Sequence, residues 1–122
     1  MHQLTLCIGS NIASRQAAIE DALAAIAHLA RIDWHSGLHE SRDVTGRGNN
    51  YLNLVVEGRT ELDFNDLRSE MKALEARAGR TPESKTSGIM PLDVDIVVWD
   101  GQIVSEVDFN SKYFAACMAD HF

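Results

Sequence analysis

Stretches in which apolar residues alternate with polar ones are interleaved along this chain with stretches in which they recur every third or fourth residue. The order is strand, helix, strand, strand, helix, strand. Leu4, Leu6 and Ile8 alternate with Thr5 and Cys7 and predict a first strand, ended by Gly9-Ser10-Asn11. Ile19, Leu23, Ile26 and Ala30 then give one apolar helical face, with Ser14 or Asn11 as N-cap. Arg31 to Ser41 reads as a second strand of irregular pattern. Tyr51 to Val56 is a third, with Leu52, Leu54 and Val56 on one face and Tyr51, Asn53 and Val55 on the other. Asp63 caps a second helix, and Asp66 favours its first turn. Its stripe is Leu67, Met71, Leu74 and Ala78, and Gly79 stops it. The last strand begins near Leu92 and is closed by Gly101. Two polar segments, Arg42 to Asn50 and Arg80 to Pro91, read as long loops of the kind that carry function. A tail from about Asp108 places Tyr113, Phe114, Cys117 and Met118 at helical spacing.

Two helices that each cross between strands predict an α+β fold, a ferredoxin-like βαββαβ sandwich. Both helices pack on one face of an antiparallel sheet, and the tail adds an extra C-terminal helix. The other face is expected to be open, with the two loops overhanging it. The 122 residues read as a single domain, 1–122. A net charge of −7 argues against broad binding to nucleic acid or to an anionic membrane. It leaves room for a phosphate ligand bridged by a metal. No apolar run approaches the roughly twenty residues of a membrane span. Met1-His2-Gln3 leads straight into the first strand, so no signal peptide is expected. Cys7 and Cys117 lack metal-ligand spacing and read as buried thiols, which suits a cytoplasmic protein.

The chemistry concentrates in Leu92-Asp93-Val94-Asp95-Ile96-Val97-Val98-Trp99. Alternation puts Asp93 and Asp95 on one sheet face, followed by Val97 and Trp99, and sends Leu92, Val94, Ile96 and Val98 into a core. Two neighbouring carboxylates repel, and a hard divalent ion such as Mg²⁺ offsets the repulsion. The alternative is an open face where carboxylates meet solvent, Lys or Arg. Ser10 and Asn11 are either a ligand-touching turn or a glycine turn with a helix cap. No Gly-Lys-Ser/Thr follows, so this is not a P-loop. Tyr51 and Asn53 share a face and suit the edge of a heterocycle, or are a surface pair. Glu75, five residues before Arg80, is a buried acid holding a ligand or an Arg, or else a solvated helical carboxylate. His35 and His39 are about 13 Å apart if the segment is a strand, which argues against zinc.

Taken together, these residues resemble the hydroxymethyl-dihydropterin pyrophosphokinase family of folate biosynthesis. Gly9-Ser10-Asn11, Ser36-Gly37-Leu38-His39-Glu40-Ser41, Tyr51-Leu52-Asn53, Glu75 before Gly79-Arg80, and Leu92-Asp93-Val94-Asp95-Ile96 stand in the family's order. The resemblance implies a ferredoxin-like fold and transfer of a pyrophosphoryl group from ATP to the pterin hydroxymethyl oxygen. It implies that Asp93 and Asp95 hold two Mg²⁺ ions and are the catalytic pair. Tyr51, Asn53 and Ser41 would meet the pterin, and Glu75, Arg80 and Lys85 the nucleotide. There are departures. Ser87-Gly88-Ile89-Met90-Pro91 replaces a Trp-Gly-Pro-Arg-Thr run, so Ser87 stands for the Trp and Met90 for an Arg that meets the ATP phosphates. Pro82 replaces a second loop Arg, and the family continues for several tens of residues beyond the position of Phe122. Arg80, Lys85 and Lys112 are the expected substitute cations. The sequence therefore supports a pterin pyrophosphokinase, with a non-catalytic pterin- or nucleotide-binding module on the same scaffold as the alternative. A third reading keeps the fold and leaves the aspartates as surface carboxylates. The apolar tail docks within the chain or forms the seam of a homodimer.

Overall fold

The computed structural model describes residues 1–43 and 45–122. Val44, inside the first of the two polar loops, lies outside the described residues. The strands are β1 (His2–Ser10), β2 (Arg31–His35), β3 (His39–Ser41), β4 (Tyr51–Thr60), β5 (Asp93–Trp99) and β6 (Gln102–Ile103). The helices are α1 (Arg15–Ile26), α2 (Phe64–Arg77), α3 (Ser84–Ser87), α4 (Glu106–Phe109) and α5 (Lys112–Met118), followed by a 3₁₀ turn over Ala119–His121. The strands lie in the order β2-β4-β1-β5-β6, with β3 also on β4, and every pairing is antiparallel. With β2 and β3 counted as one interrupted strand, this is the βαββαβ order expected of a ferredoxin-like sandwich.

The alternation read from the sequence sorts the core. Leu4, Leu6, Ile8, Leu54, Val56, Leu92, Val94 and Ile96 turn to one sheet face, where Ile19, Ala22 and Ile26 of α1 and Leu67, Met71 and Leu74 of α2 cover them. Asp63 caps α2 by accepting from the Asp66 amide at 2.8 Å, and Gly79 turns the chain out of the helix at φ +102°. Both helices stop sooner than their apolar stripes suggest, and Ala30 and Ala78 lie beyond the helical turns.

Several expectations are corrected by tertiary pairing. The second sheet face is not open: α5 docks on it, burying Phe114 and Cys117 against Cys7, Val55 and Val97. Phe114 and Cys117 of the apolar tail are thus covered within the chain, while Val107, Phe109 and Phe122 stay exposed, and the two cysteines are buried free thiols. The single irregular strand is two, because β2 to β3 gains a residue over β4: His35 pairs Val56 but His39 pairs Asn53. Buried Ser36 holds the break, its amide donating to the Val55 carbonyl at 2.9 Å and its hydroxyl accepting from the Val55 amide at 3.0 Å. A bulge in β5 sets Ile96 opposite Leu6 but Val98 opposite Thr5. Beyond it the alternation slips by one, so Trp99 joins the helix-side core and Val98 packs near α5, the reverse of strict alternation. Asp100 and Gly101, at φ +48° and +79°, form the two-residue turn into β6, a short strand the sequence reading missed.

Candidate active site

Asp93 and Asp95 open β5, opposite Gly9 and Cys7 of β1. Gly9 in turn pairs Asn53 on β4, and Asn53 pairs His39 on β3. One row across the sheet therefore reads Asp93, Gly9, Asn53, His39. Strands are about 4.8 Å apart, so the missing side chain at Gly9 leaves a slot of roughly 10 Å between Asp93 and Asn53. A Cβ on Gly9 would come within 3.3 Å of Asn53 Oδ1 and 3.5 Å of the Tyr51 ring. The slot is a cavity of about 340 Å³ whose walls include Cys7, Tyr51, Asn53, Asp93, Asp95 and Tyr113.

The polarity of this cavity is set by its own hydrogen bonds. Asn53 Nδ2 donates to the His39 carbonyl at 3.1 Å and to Ser41 Oγ at 2.8 Å. Both amide hydrogens are used, and Oδ1 is left as an acceptor beside the slot. Tyr113 donates its hydroxyl to Asp108, which also accepts from Ser105 Oγ at 2.7 Å. Burial, then the Asp108 carboxylate, pushes the Tyr113 hydroxyl well above its ordinary range. Burial also raises Tyr51 and Cys7, so both stay protonated.

A second cleft, about 460 Å³, lies on the other side of the aspartates. It exists because β6 pairs only with the end of β5 and leaves Asp93 to Ile96 as an open edge facing α2. Glu75, Arg80, Lys85, Asp93 and Asp95 line it, together with Arg68 and Lys72. Arg80 Nη1 bridges two acids, donating to Glu75 Oε2 at 2.6 Å and Asp93 Oδ1 at 2.9 Å. The same Glu75 oxygen accepts from the Val94 amide at 2.8 Å, which ties the end of α2 to the start of β5. Glu75 is only 9% exposed and is a buried acid, not a solvated one. Burial raises it, while the Val94 amide and Arg80 pull it back.

Asp95 has no such cation. Burial first, then the neighbouring Asp93 charge, pushes its carboxyl from 3.8 up to about 8. Asp93 keeps one oxygen on Arg80 and lies within hydrogen-bond reach of Asp95, so without a cation between them the two carboxyls share a proton. No group of three or more His, Cys, Asp or Glu suited to a metal occurs among the described residues. Two oxygen-donor carboxylates without a complete protein cage suit Mg²⁺, which keeps several waters and takes further oxygens from a substrate's phosphates. The residues present fit that ion.

The structure thus gathers every site residue read from the sequence. Tyr51, Asn53 and Ser41 line the first cavity, Glu75, Arg80 and Lys85 the second, and Asp93 and Asp95 both. Lys112, expected as a substitute cation, lines neither of the two cavities. Arg68 and Lys72 escaped the sequence reading, and Gly9 and Tyr113 entered it only as a strand-ending turn and a tail aromatic, not as cavity walls. Arg68 and Lys72 were legible in principle, since they stand seven and three residues before Glu75 on one helix. Asn11 is not the helix cap that one reading made it. The N-cap of α1 is Ser14, and Asn11, 2% exposed, latches two loops. Its Oδ1 accepts from the Met90 amide at 2.7 Å and its Nδ2 donates to the carbonyls of Gly88 at 2.8 Å and Asn49 at 3.3 Å. Met90 is buried at 5% exposure and reaches neither of the two cavities.

A family model described as 7,8-dihydro-6-hydroxymethylpterin-pyrophosphokinase (HPPK) matches residues 5–119. The chain is also similar to the folate synthesis bifunctional protein of Arabidopsis thaliana, 27% identical over 99 residues, which are 80% of this chain and 20% of that relative. The chain therefore spans about a fifth of the length of the curated relative it matches.

Proposed function

Because the chain belongs to the 7,8-dihydro-6-hydroxymethylpterin-pyrophosphokinase family, we propose that it transfers a diphosphoryl group from ATP to the hydroxymethyl oxygen of a dihydropterin, in folate biosynthesis. The observation that carries this reading is that one aspartate pair lines two adjoining cavities. A two-substrate transfer needs its donor and acceptor to meet at one charged point. The slot beside Gly9 takes the flat heterocycle. Asn53 Oδ1 accepts from a ring N–H, and Tyr51 and Tyr113 close the sides. The cleft under α2 takes the nucleotide. Asp93 and Asp95 would hold Mg²⁺, which neutralises phosphate charge and aligns the attacking and leaving oxygens. Arg80, anchored by Glu75, fixes Asp93 from behind, so the carboxylate does not turn toward the phosphates. Lys85 supplies a cation at the cleft wall.

The test is formation of AMP from ATP and 6-hydroxymethyl-7,8-dihydropterin at saturating Mg²⁺. AMP above a no-enzyme control supports the enzyme, and its absence sinks the catalytic version. A second reading, a pterin- or nucleotide-binding module without turnover, is favoured by the burial of Met90. An apolar side chain held in the interior brings no charge to a transition state, and losing one such contact commonly costs a hundredfold or more in rate, roughly 3 kcal/mol. Calorimetric binding of pterin or Mg·ATP with no AMP would select it.

A further inference from the structure

We propose that Arg68 and Lys72 on α2, with Lys85 on α3, form a clamp for the polyphosphate end of the nucleotide. The clamp rests on the nucleotide reading above and adds to it residues on an element that the loop motifs do not include. Arg68 and Lys72 are exposed and four residues apart, so they stand one turn from each other on the wall of the α2 cleft. Like charges at that spacing repel. Neither makes an ion pair among the described residues. The one acid placed to neutralise Lys72, Glu75 three residues on, is already committed to Arg80 and the Val94 amide. The neighbouring acids of α2, Asp66 and Glu70, are not among the residues that line the cleft.

An acidic chain of net charge −7 thus concentrates unpaired cations on the wall opposite its two aspartates. The occupant this arrangement fits carries several negative charges along its length. One end meets a divalent ion at Asp93 and Asp95, and the other meets Arg68, Lys72 and Lys85. A monoanion satisfies only one end. Arg80 takes no part as a clamp, because its guanidinium is engaged by Glu75 and Asp93.

Calorimetry on the full chain tests this, with Mg·ATP and Mg·tripolyphosphate titrated separately. The proteins are wild type, Arg68→Gln/Lys72→Gln, each single variant, and Arg77→Gln, an exposed α2 cation outside the cleft. Circular dichroism checks that each is folded, and the singles carry the test if the double variant is not. The double variant is expected to weaken both ligands about tenfold or more, each lost charged contact being worth a factor of that order. Its affinity also falls less steeply with added salt, and Arg77→Gln binds as wild type. Wild-type affinity in the double variant overturns the clamp alone. Weakened ATP with unchanged tripolyphosphate overturns its assignment to the phosphates. No binding of either ligand to wild type sinks the nucleotide reading and the clamp with it.

Discussion

Replacing Asp95 by Asn is expected to stabilise the metal-free chain, and increasingly so as the pH rises. The carboxyl is pushed from 3.8 to about 8 by burial and then by the Asp93 charge. Between those values the unfolded chain has released the proton while the folded chain keeps it. The unfolded state binds fewer protons, so stability falls with rising pH, by up to about 1.4 kcal/mol per pH unit. Across the whole window the limit is about 6 kcal/mol; solvent at the half-buried site and proton sharing with Asp93 reduce this to about 2–3 kcal/mol. Glu75, raised chiefly by burial, acts in the same direction. Asp33, Asp100 and Asp120, held low by hydrogen bonds from Arg59, His2 and His39, lose their contribution only on acidification below the ordinary carboxylate range. Urea unfolding of wild type and Asp95→Asn at pH 5, 6, 7 and 8 in EDTA isolates the effect, because the difference cancels groups common to both. The gap should widen in favour of Asn toward pH 8. Added Mg²⁺ should raise the wild-type curve and leave the variant nearly unmoved. Parallel curves, or an Asn variant less stable at pH 8, would refute the reasoning.

Three other substitutions probe the frame around the site. Asn11→Ala removes the side chain that bonds Asn49, Gly88 and Met90; it should cost about 2–4 kcal/mol in urea and speed amide exchange at Met90, and a loss under 1 kcal/mol would show the latch idle. Gly9→Ala puts a methyl 3.3 Å from Asn53 Oδ1; calorimetry should show pterin binding weakened about tenfold, roughly 1.4 kcal/mol, with the fold retained. Equal affinity would take the heterocycle out of that slot. Phe114→Ala empties the contact between α5 and the sheet and should destabilise by about 3–4 kcal/mol, whereas a near-neutral effect would mean that α5 is not docked in solution.

The sequence by itself determined the order of the main strands and helices and the shared face of Asp93 and Asp95. Period-two and period-3.6 apolar patterns are local properties, so β1, α1, β4, α2 and the Asp93–Asp95 face could be read from spacing alone. Where the pattern met a bulge, it failed. An extra residue between Ile96 and Val98 moved Trp99 to the other face, because side-chain direction depends on pairing with β1 and not on count along the chain. The same holds for Glu75. Its burial follows from the approach of Arg80 and the Val94 amide, which sequence distance does not reveal. Only the tertiary structure decided that Gly9 opens a slot, since the slot needs Asp93 and Asn53 as lateral neighbours on two different strands. It alone brought Arg68 and Lys72 to the aspartates, and turned Asn11 from a cap into a latch. A carboxylate pair is a matter of composition and alternation; what faces that pair is a matter of which edges the sheet leaves unpaired.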